Sequence, residues 1–510
     1  MVTFGFFNMY RLLLPALLGF ILVSCGPSAY LPNKKYPKAQ LQEDYVFMQK
    51  VLESKHPSLY WYTTKDSMDW YFNYYAGQIK DSMTDLDFAW NILSPLINKI
   101  HCGHTSVSMN KAYNKWVIGK RFATFPYYLK IWNDSMVTVR SLIKDSVLSK
   151  GTVVKSINGI SQAELLNKIF DRLPIDGYAN NINYIRVSAN FPYYYRNLFT
   201  VTDTFSISYL DSNGKVHYTK APAYKPVVDT TAKDSLKARK IIKPKSPKIN
   251  RTKQRSKYRT FHIDTTKRFA VMEINSFTRG NMRRFFRRSF NSLQKEEIPN
   301  LILDIRNNGG GRVRLSILLA KYISRHPFRI ADSVYSVSSG LKPYTKQFEN
   351  KWLNNLQIKF ITKKGADGNR HLKKYERKCY SANKKQKYNG KVYTLISGPT
   401  FSAATLFANL IKGQEGILLC GEETGGGWYG NSGIIIPYLK LKNTGCRISF
   451  PLFRVVQYCH EPRQGRGVQP DIYIGTDYPS LINEKDRKME VVKRMIEEGD
   501  INNPKKISTN

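Results

Sequence analysis

The stretch KVYTLISGPTFSAATLFANLIK, residues 391–412, sets the architecture of the chain. Residues 391–397 are almost all apolar, aromatic or β-branched, the composition of a strand buried on both faces, and such strands belong to parallel sheets. Gly398 and Pro399 break the strand. From Ser402 to Lys412 apolar residues recur at helical spacing. A buried strand, a tight turn and a helix is the unit from which α/β layers are built. It sets Ser402 at a helix start beyond the carboxyl end of a strand, where α/β folds place their sites. The helix end offers unpaired amides and a positive partial charge, both suited to a developing oxyanion. The alternative role for Ser402 is to cap that helix.

Outward from this unit, the pattern repeats between Phe261 and about Gly475. FAVMEINSF (269–277) reads as a strand, Arg279 to Lys295 as a basic amphipathic helix, LILDI (301–305) as a buried strand and Val313 to Ser324 as a helix. Three glycines follow in LILDIRNNGGG (301–311), where the lack of Cβ atoms lets backbone amides approach a substrate. An amide of Gly309 or Gly310 is then placed to join that of Ala403 in an oxyanion hole. No Gly-Lys-Ser/Thr follows, so this is not a phosphate-binding loop. A second glycine-rich loop, GEETGGGWYGNSG (421–433), comes just after the Ser402 helix.

Upstream, residues 125–220 read as mainly β. Within them SKGTVVKSINGISQAELLNKIF (149–170) gives a turn, a strand, an Asn-Gly turn and a helix. Leu41 to about Ile100 carries apolar residues at helical spacing, and HCGHTSV (101–107) ends that region. Lys233 to Arg259 holds twelve Lys or Arg against the single acid Asp234 and reads as a solvated linker, or alternatively as an arm that binds polyanions. Lys485 to Glu498 reads as a terminal surface helix.

The N-terminus bears on the compartment. Arg11 precedes an apolar run from Leu12 to Val23. That run falls short of the roughly 20 residues that span a bilayer and suits the core of a secretory signal. Leu22-Val23-Ser24-Cys25 resembles a bacterial lipobox, which implies cleavage before Cys25 and a lipid on it. Five further cysteines (Cys102, Cys379, Cys420, Cys446, Cys459) form no CxxC pair, which argues against zinc. One or two disulfides are compatible with an exported chain. The formal charge of +42 favours contact with anionic lipid or polymer, and nucleic acid is not the expected partner of an exported chain.

Taken together, Asp304 to Gly311, Ser402-Ala403-Ala404 and Gly421 to Gly426 resemble, in order and spacing, the motifs of the C-terminal processing (tail-specific) peptidases, a family that includes the core of tricorn protease. The 149–170 stretch is similar to the latter part of a PDZ domain. The resemblance implies an α+β or α/β multidomain chain. Its parts would be a lipoprotein signal peptide (1–24), a tether (25–40), a helical N-terminal region (41–115), a PDZ-like β-rich domain (116–222), a basic linker (223–260), a crotonase-like ββα peptidase core (261–478) and a C-terminal helix and tail (479–510). It implies a serine endopeptidase acting on exported proteins or peptides from the periplasmic side of a bacterial membrane, expected to be the outer one, with no cofactor and no metal.

In that family Ser402 is the nucleophile, and Gly309, Gly310 and Ala403 are the oxyanion or substrate-binding residues. Lysine-dyad members carry a lysine about 25 residues after the serine. Here position 427 is glycine, and Lys440 and Lys442 lie well beyond. Tricorn-like members use a histidine far upstream in a Gly-His-Thr context, which here is His104. A glutamate that completes their site falls on Gln464, with Glu422, Glu423 and Glu461 as nearby substitutes. A glutamine orients a ring but does not stabilise an imidazolium by charge. The rival reading is therefore a lipid-anchored peptide-binding protein with a weak or inactive core.

Overall fold

The computed structural model describes residues 30–132, 135–226, 255–349, 358–458 and 465–499. The expected signal peptide, Cys25, Gln464, Glu461, Cys459 and most of the Lys233–Arg259 stretch lie outside the described residues.

The chain begins with two helices, α1 (Lys38–Lys55) and α2 (Lys65–Gly77), followed by a helical run through Asp85–Phe88, Ala89–Leu93 and Ser94–Asn98. Thr64 caps α2 by accepting from the Ser67 amide. Residues 101–106 then turn into the short strand β1 (Val107–Ser108).

An antiparallel sheet follows, made of β2 (Tyr127–Trp132), β3 (Ser135–Ser141), β4 (Val153–Ile157), β5 (Thr204–Leu210) and β6 (Val216–Pro222) in that order. Helix α3 (Gln162–Phe170) follows β4 through the Asn158-Gly159 turn, where both residues have positive φ. The sheet packs its own core, centred on Phe125, Phe191, Tyr195 and Phe205. A second helix here departs from the mainly β expectation: α4 (Asn181–Leu198) runs 18 residues despite Pro192, with a break at Asn190 (φ −157°, ψ 53°). The ring at 192 removes a donor, and the chain yields two residues earlier.

From residue 259 the chain runs β7 (Arg259–Ile263), β8 (Ala270–Ile274), α5 (Met282–Lys295), β9 (Asn300–Asp304), α6 (Val313–Ile323) and β10 (Ala331–Ser336). It continues with α7 (Lys373–Arg377), β11 (Lys391–Ile396), α8 (Ala403–Ile411), β12 (Ile417–Gly421) and β13 (Gly430–Gly433). It ends with β14 (Tyr438–Lys440), β15 (Arg447–Ser449), β16 (Phe453–Gln457), β17 (Ile472–Tyr473) and α9 (Arg487–Glu497). The central sheet has the order β7-β8-β9-β11-β12-β17 and is parallel from β8 onward.

Its middle strands, β9 and β11, are largely apolar because both faces are covered. Leu301 and Leu303 join the main core, whereas Ile302 joins Tyr393, Leu395 and Cys420 on the other face, under Val492 and Met495 of α9. The main core also takes in Leu41, Met48 and Leu96, so the N-terminal helices pack on the same body as the central sheet. A second sheet places β13, β16 and β10 side by side, and β1 adds to β15. That last pairing brings the 101–108 segment to the far C-terminal half of the chain.

Arg306 reaches two carboxylates: Nη2 lies 2.6 Å from Asp304 Oδ2, and Nη1 lies 2.6 Å from Asp486 Oδ1. The charged pair at the end of LILDIR thus ties α9 to the sheet. Cys102, Cys379, Cys420 and Cys446 are all free thiols. Among the described residues no helix is long and apolar enough to cross a membrane.

Candidate active site

β11 ends at Ile396, and the next six residues form a braced turn. Thr400 Oγ1 accepts from the Ser397 amide at 3.1 Å and donates to the Ile305 carbonyl at 3.0 Å. The Phe401 amide donates to the Asn308 carbonyl at 3.0 Å. The turn is therefore pinned to the glycine loop that ends β9. Ser402 follows with φ 56° and ψ −121°, a conformation that side chains rarely adopt, and its hydroxyl makes no cap bond to α8. Such a backbone costs about 1–3 kcal/mol and persists only where the surroundings enforce it. The capping role is thus not the one Ser402 plays.

The surroundings are close. A Cβ placed on Gly310 would lie 2.7 Å from Ser402 Cβ and 2.9 Å from the Ala403 nitrogen, and one on Gly426 would lie 3.1 Å from the Ser402 nitrogen. Both glycine loops therefore press on the serine, and only hydrogen fits at either position. Asn308 fixes the first loop: its Nδ2 donates to the Ile274 carbonyl at 3.0 Å, and its Oδ1 accepts from Gly310 N–H at 2.9 Å. This narrows the sequence expectation. The Gly310 amide is already used, so Gly309 and Ala403, the first residue of α8, are the amides on offer beside Ser402.

The structure brings His104 to this corner. Its imidazole lies on the ring of Phe401, with centroids 4.7 Å apart and planes inclined at 31°. The Ser449 hydroxyl donates to the His104 carbonyl at 2.7 Å, so the β1–β15 pairing holds the segment in place. His101 points elsewhere, its Nδ1 at 2.8 Å from the Gly177 carbonyl and its ring against Tyr178.

Asp176 was not singled out from the sequence. It is buried, and its Oδ1 accepts from Gly103 N–H at 2.7 Å, one residue before His104. Its Oδ2 lies 3.4 Å from the Gly427 amide. Burial pushes the His104 pKa below the ordinary histidine value; the Asp176 charge opposes this and Arg186 adds to it. Burial raises the Asp176 carboxyl, against the charge on His104 and the two amides. His104 Nδ1 is buried without a hydrogen-bond partner.

The other carboxylates near the 421–433 loop are committed. Glu422 pairs with Lys488 at 2.7 Å, and Glu423 accepts from the Gly467 amide at 2.7 Å and from Arg466. Gln464 itself is not described, but Gly465, next to it, accepts the Tyr178 amide at 2.7 Å, two residues from Asp176. Position 427 does not admit a lysine: a Cβ there would lie 2.6 Å from the Gly430 carbonyl. Arg454 is buried under this corner with its guanidinium 3.8 Å from the Trp61 ring centroid, and its charge acts on Asp176. Among the described residues no group of three or more His, Cys, Asp or Glu could hold a metal ion.

Residues 268–474 match the model of peptidase family S41. The chain carries a peptidase family S41 domain. By structure the whole chain is similar to mature CPAF, with 13% identity over 91% of this chain and 98% of that one and a TM-score of 0.58. Mature CPAF complexed with lactacystin is matched at 14% identity over 90% and 99% of the two chains, with a TM-score of 0.58. A putative peptidase from Parabacteroides merdae is matched at 13% identity over 90% and 96%, with a TM-score of 0.45. No curated protein matches by sequence. His104 and Asp176 lie outside the matched residues; His104 meets Phe401 and Asp176 meets the Gly427 amide within them.

Proposed function

We propose that this chain is a serine endopeptidase with Ser402 as nucleophile and His104 as general base. The observation that carries the reading is the enforced left-handed backbone of Ser402 between Gly310 and Gly426, with the His104 ring on its neighbour Phe401. Ser402 Oγ attacks the peptide carbonyl carbon as its proton passes to the imidazole. The oxyanion is held by the Ala403 and Gly309 amides. The imidazolium gives the proton to the leaving amine, and water then hydrolyses the ester by the same route in reverse. Burial keeps the imidazole neutral and ready to accept a proton, and the buried Asp176 charge stabilises the imidazolium once formed.

The substrate is a protein or peptide, presented in part by the antiparallel sheet of residues 127–222, whose strand–turn–helix order resembles a PDZ domain. The apolar N-terminal run and Cys25 support export and a lipid anchor at the cell envelope. A fluorophosphonate probe is expected to label the wild type, to miss Ser402→Ala and to label His104→Ala far more slowly. Equal labelling of wild type and Ser402→Ala overturns the nucleophile. The glutamine at 464 and the unpartnered His104 Nδ1 favour a second reading, a peptide-binding protein with a weak core; no labelling of either the wild type or Ser402→Ala would establish it.

A further inference from the structure

On the S41 domain, three helices enclose a groove of about 940 Å³, within the range of sites for organic ligands. Helix α5 contributes Arg283, Arg284 and Arg287, α6 contributes Arg314 and Lys321, and α7 with the residue after it contributes Lys374 and Lys378. Among the described residues no carboxylate lines the groove. Among the described residues none of these seven cations is in an ion pair, whereas Lys99, Lys412, Arg447 and Lys488 each hold one elsewhere on the chain.

The placement is electrostatically unfavourable as it stands. Arg283 and Arg287 are four apart on one helix face, and like charges at that spacing repel. The three arginines also occupy the first two turns of α5, where the helix dipole disfavours cations and where no acid stands in the first turn. The floor is ordered: Tyr322 is buried and stacks on Phe290 with centroids 4.4 Å apart and planes at 5°. Six of the seven cations, all but Lys321, are solvent-exposed around this floor, and the charges of Arg287 and Arg314 reach the Tyr322 and Tyr375 hydroxyls.

We infer that this groove is a binding site for a ligand carrying two or more phosphate groups. Four guanidinium forks converge from two helices, and forks suit phosphate oxygens bidentately. A single anion would leave most of the repulsion in place. The apolar and aromatic floor, with Ile317 and Leu318, suits an organic body between the charges. The ligand is either a soluble oligophosphate or the headgroup of a bisphosphorylated lipid. The site shares no residue with the Ser402 corner, so it stands or falls apart from the peptidase reading.

The test uses the full chain and two triple variants of equal charge change: Arg284→Glu/Arg287→Glu/Lys374→Glu in the groove, and Lys215→Glu/Lys220→Glu/Lys364→Glu on other exposed surface. Calorimetry with inorganic tripolyphosphate and flotation with cardiolipin-containing vesicles read the two sources. The groove variant is expected to lose at least tenfold in affinity for one probe while the control variant stays within threefold of wild type. Loss confined to tripolyphosphate identifies a soluble ligand, and loss confined to vesicles a lipid headgroup. Equal weakening of both variants, or no binding of either probe by the wild type, overturns the site. Glutamine replacements at the same three groove positions repeat the measurement without reversing charge and guard against a folding defect, which a thermal melt also reads.

Discussion

The His104 imidazole rests on the ring of Phe401, and Phe401 is bonded directly to Ser402. The contact couples a histidine near residue 100 to a turn 300 residues later through one aromatic side chain. Phe401 also fills the space beside Gly103, where a Cβ would lie 2.7 Å from its ring. Phe401→Leu keeps the apolar volume but gives up the ring–ring contact, worth about 0.5–1.5 kcal/mol. The expected result is a fall in kcat of about tenfold with KM within threefold, since the change loosens the base and not the substrate contacts. Unchanged kcat with a raised KM would place Phe401 in substrate binding instead.

Asp176 gives a prediction in which activity and stability part company. Burial raises its carboxyl, so the folded chain holds that proton more tightly than the unfolded chain does. The stabilising contribution therefore belongs to low pH and is lost as the pH rises through the folded value; at neutral pH the ionised group costs stability. Asp176→Asn keeps an acceptor for the Gly103 amide and removes the charge. Its melting temperature at pH 7 should equal or exceed that of the wild type, while kcat falls about 10- to 100-fold for want of a charge beside the imidazolium. The charge also raises the His104 pKa against burial. Its removal should thus move the acidic limb of kcat/KM to lower pH. A limb that moves up, or a kcat within twofold of wild type, assigns Asp176 a purely structural part.

Gly427 tests the absence of a lysine dyad. Any side chain there meets the Gly430 carbonyl at 2.6 Å. Overpacking of that kind costs about 1–3 kcal/mol. Gly427→Lys is expected to lower the melting temperature by several degrees and to leave the His104→Ala variant as inactive as before. Restoration of turnover in the His104→Ala, Gly427→Lys double variant would mean that the lysine solution is open to this backbone after all.

Much of this could be read from the chain before any coordinates. Strands such as 301–305 and 391–396 are apolar on both faces, so periodicity, breakers and order sufficed for the central sheet. Ser402 and the glycines beside it were legible because a strand–turn–helix junction with glycines permits few arrangements. Two things were not legible. Helix α4 hides behind Pro192 and a run of tyrosines and asparagines, residues with weak helix preference, and it forms because it packs on β2 and on the Gly398 turn. Asp176 sits in a plain Pro-Ile-Asp-Gly turn, which reads as loop chemistry. Its place beside His104 depends on long-range pairing, of β1 with β15 and of Gly177 and Tyr178 with His101 and Gly465, that local pattern does not carry.

The glutamine at 464 and the aspartate at 176 can be set against each other. Position 464 adjoins Gly465 in sequence, and the Gly465 carbonyl takes the Tyr178 amide, two residues from Asp176. On the family resemblance, position 464 completes the site; a carboxylate there would meet the like charge of Asp176, and repulsion is strong in a low-dielectric site. Gln464→Glu in the wild-type chain should therefore change kcat by less than about threefold. In the Asp176→Asn background the repulsion is gone and the imidazolium lacks a counter-charge, so the same substitution should recover at least tenfold of the lost kcat. The coupling is then non-additive by about 0.7 kcal/mol or more, and a double-mutant cycle on kcat measures it directly. Additive effects within twofold would mean that the two positions do not act on the same imidazole, and that Asp176 is not the group that stabilises its charged form.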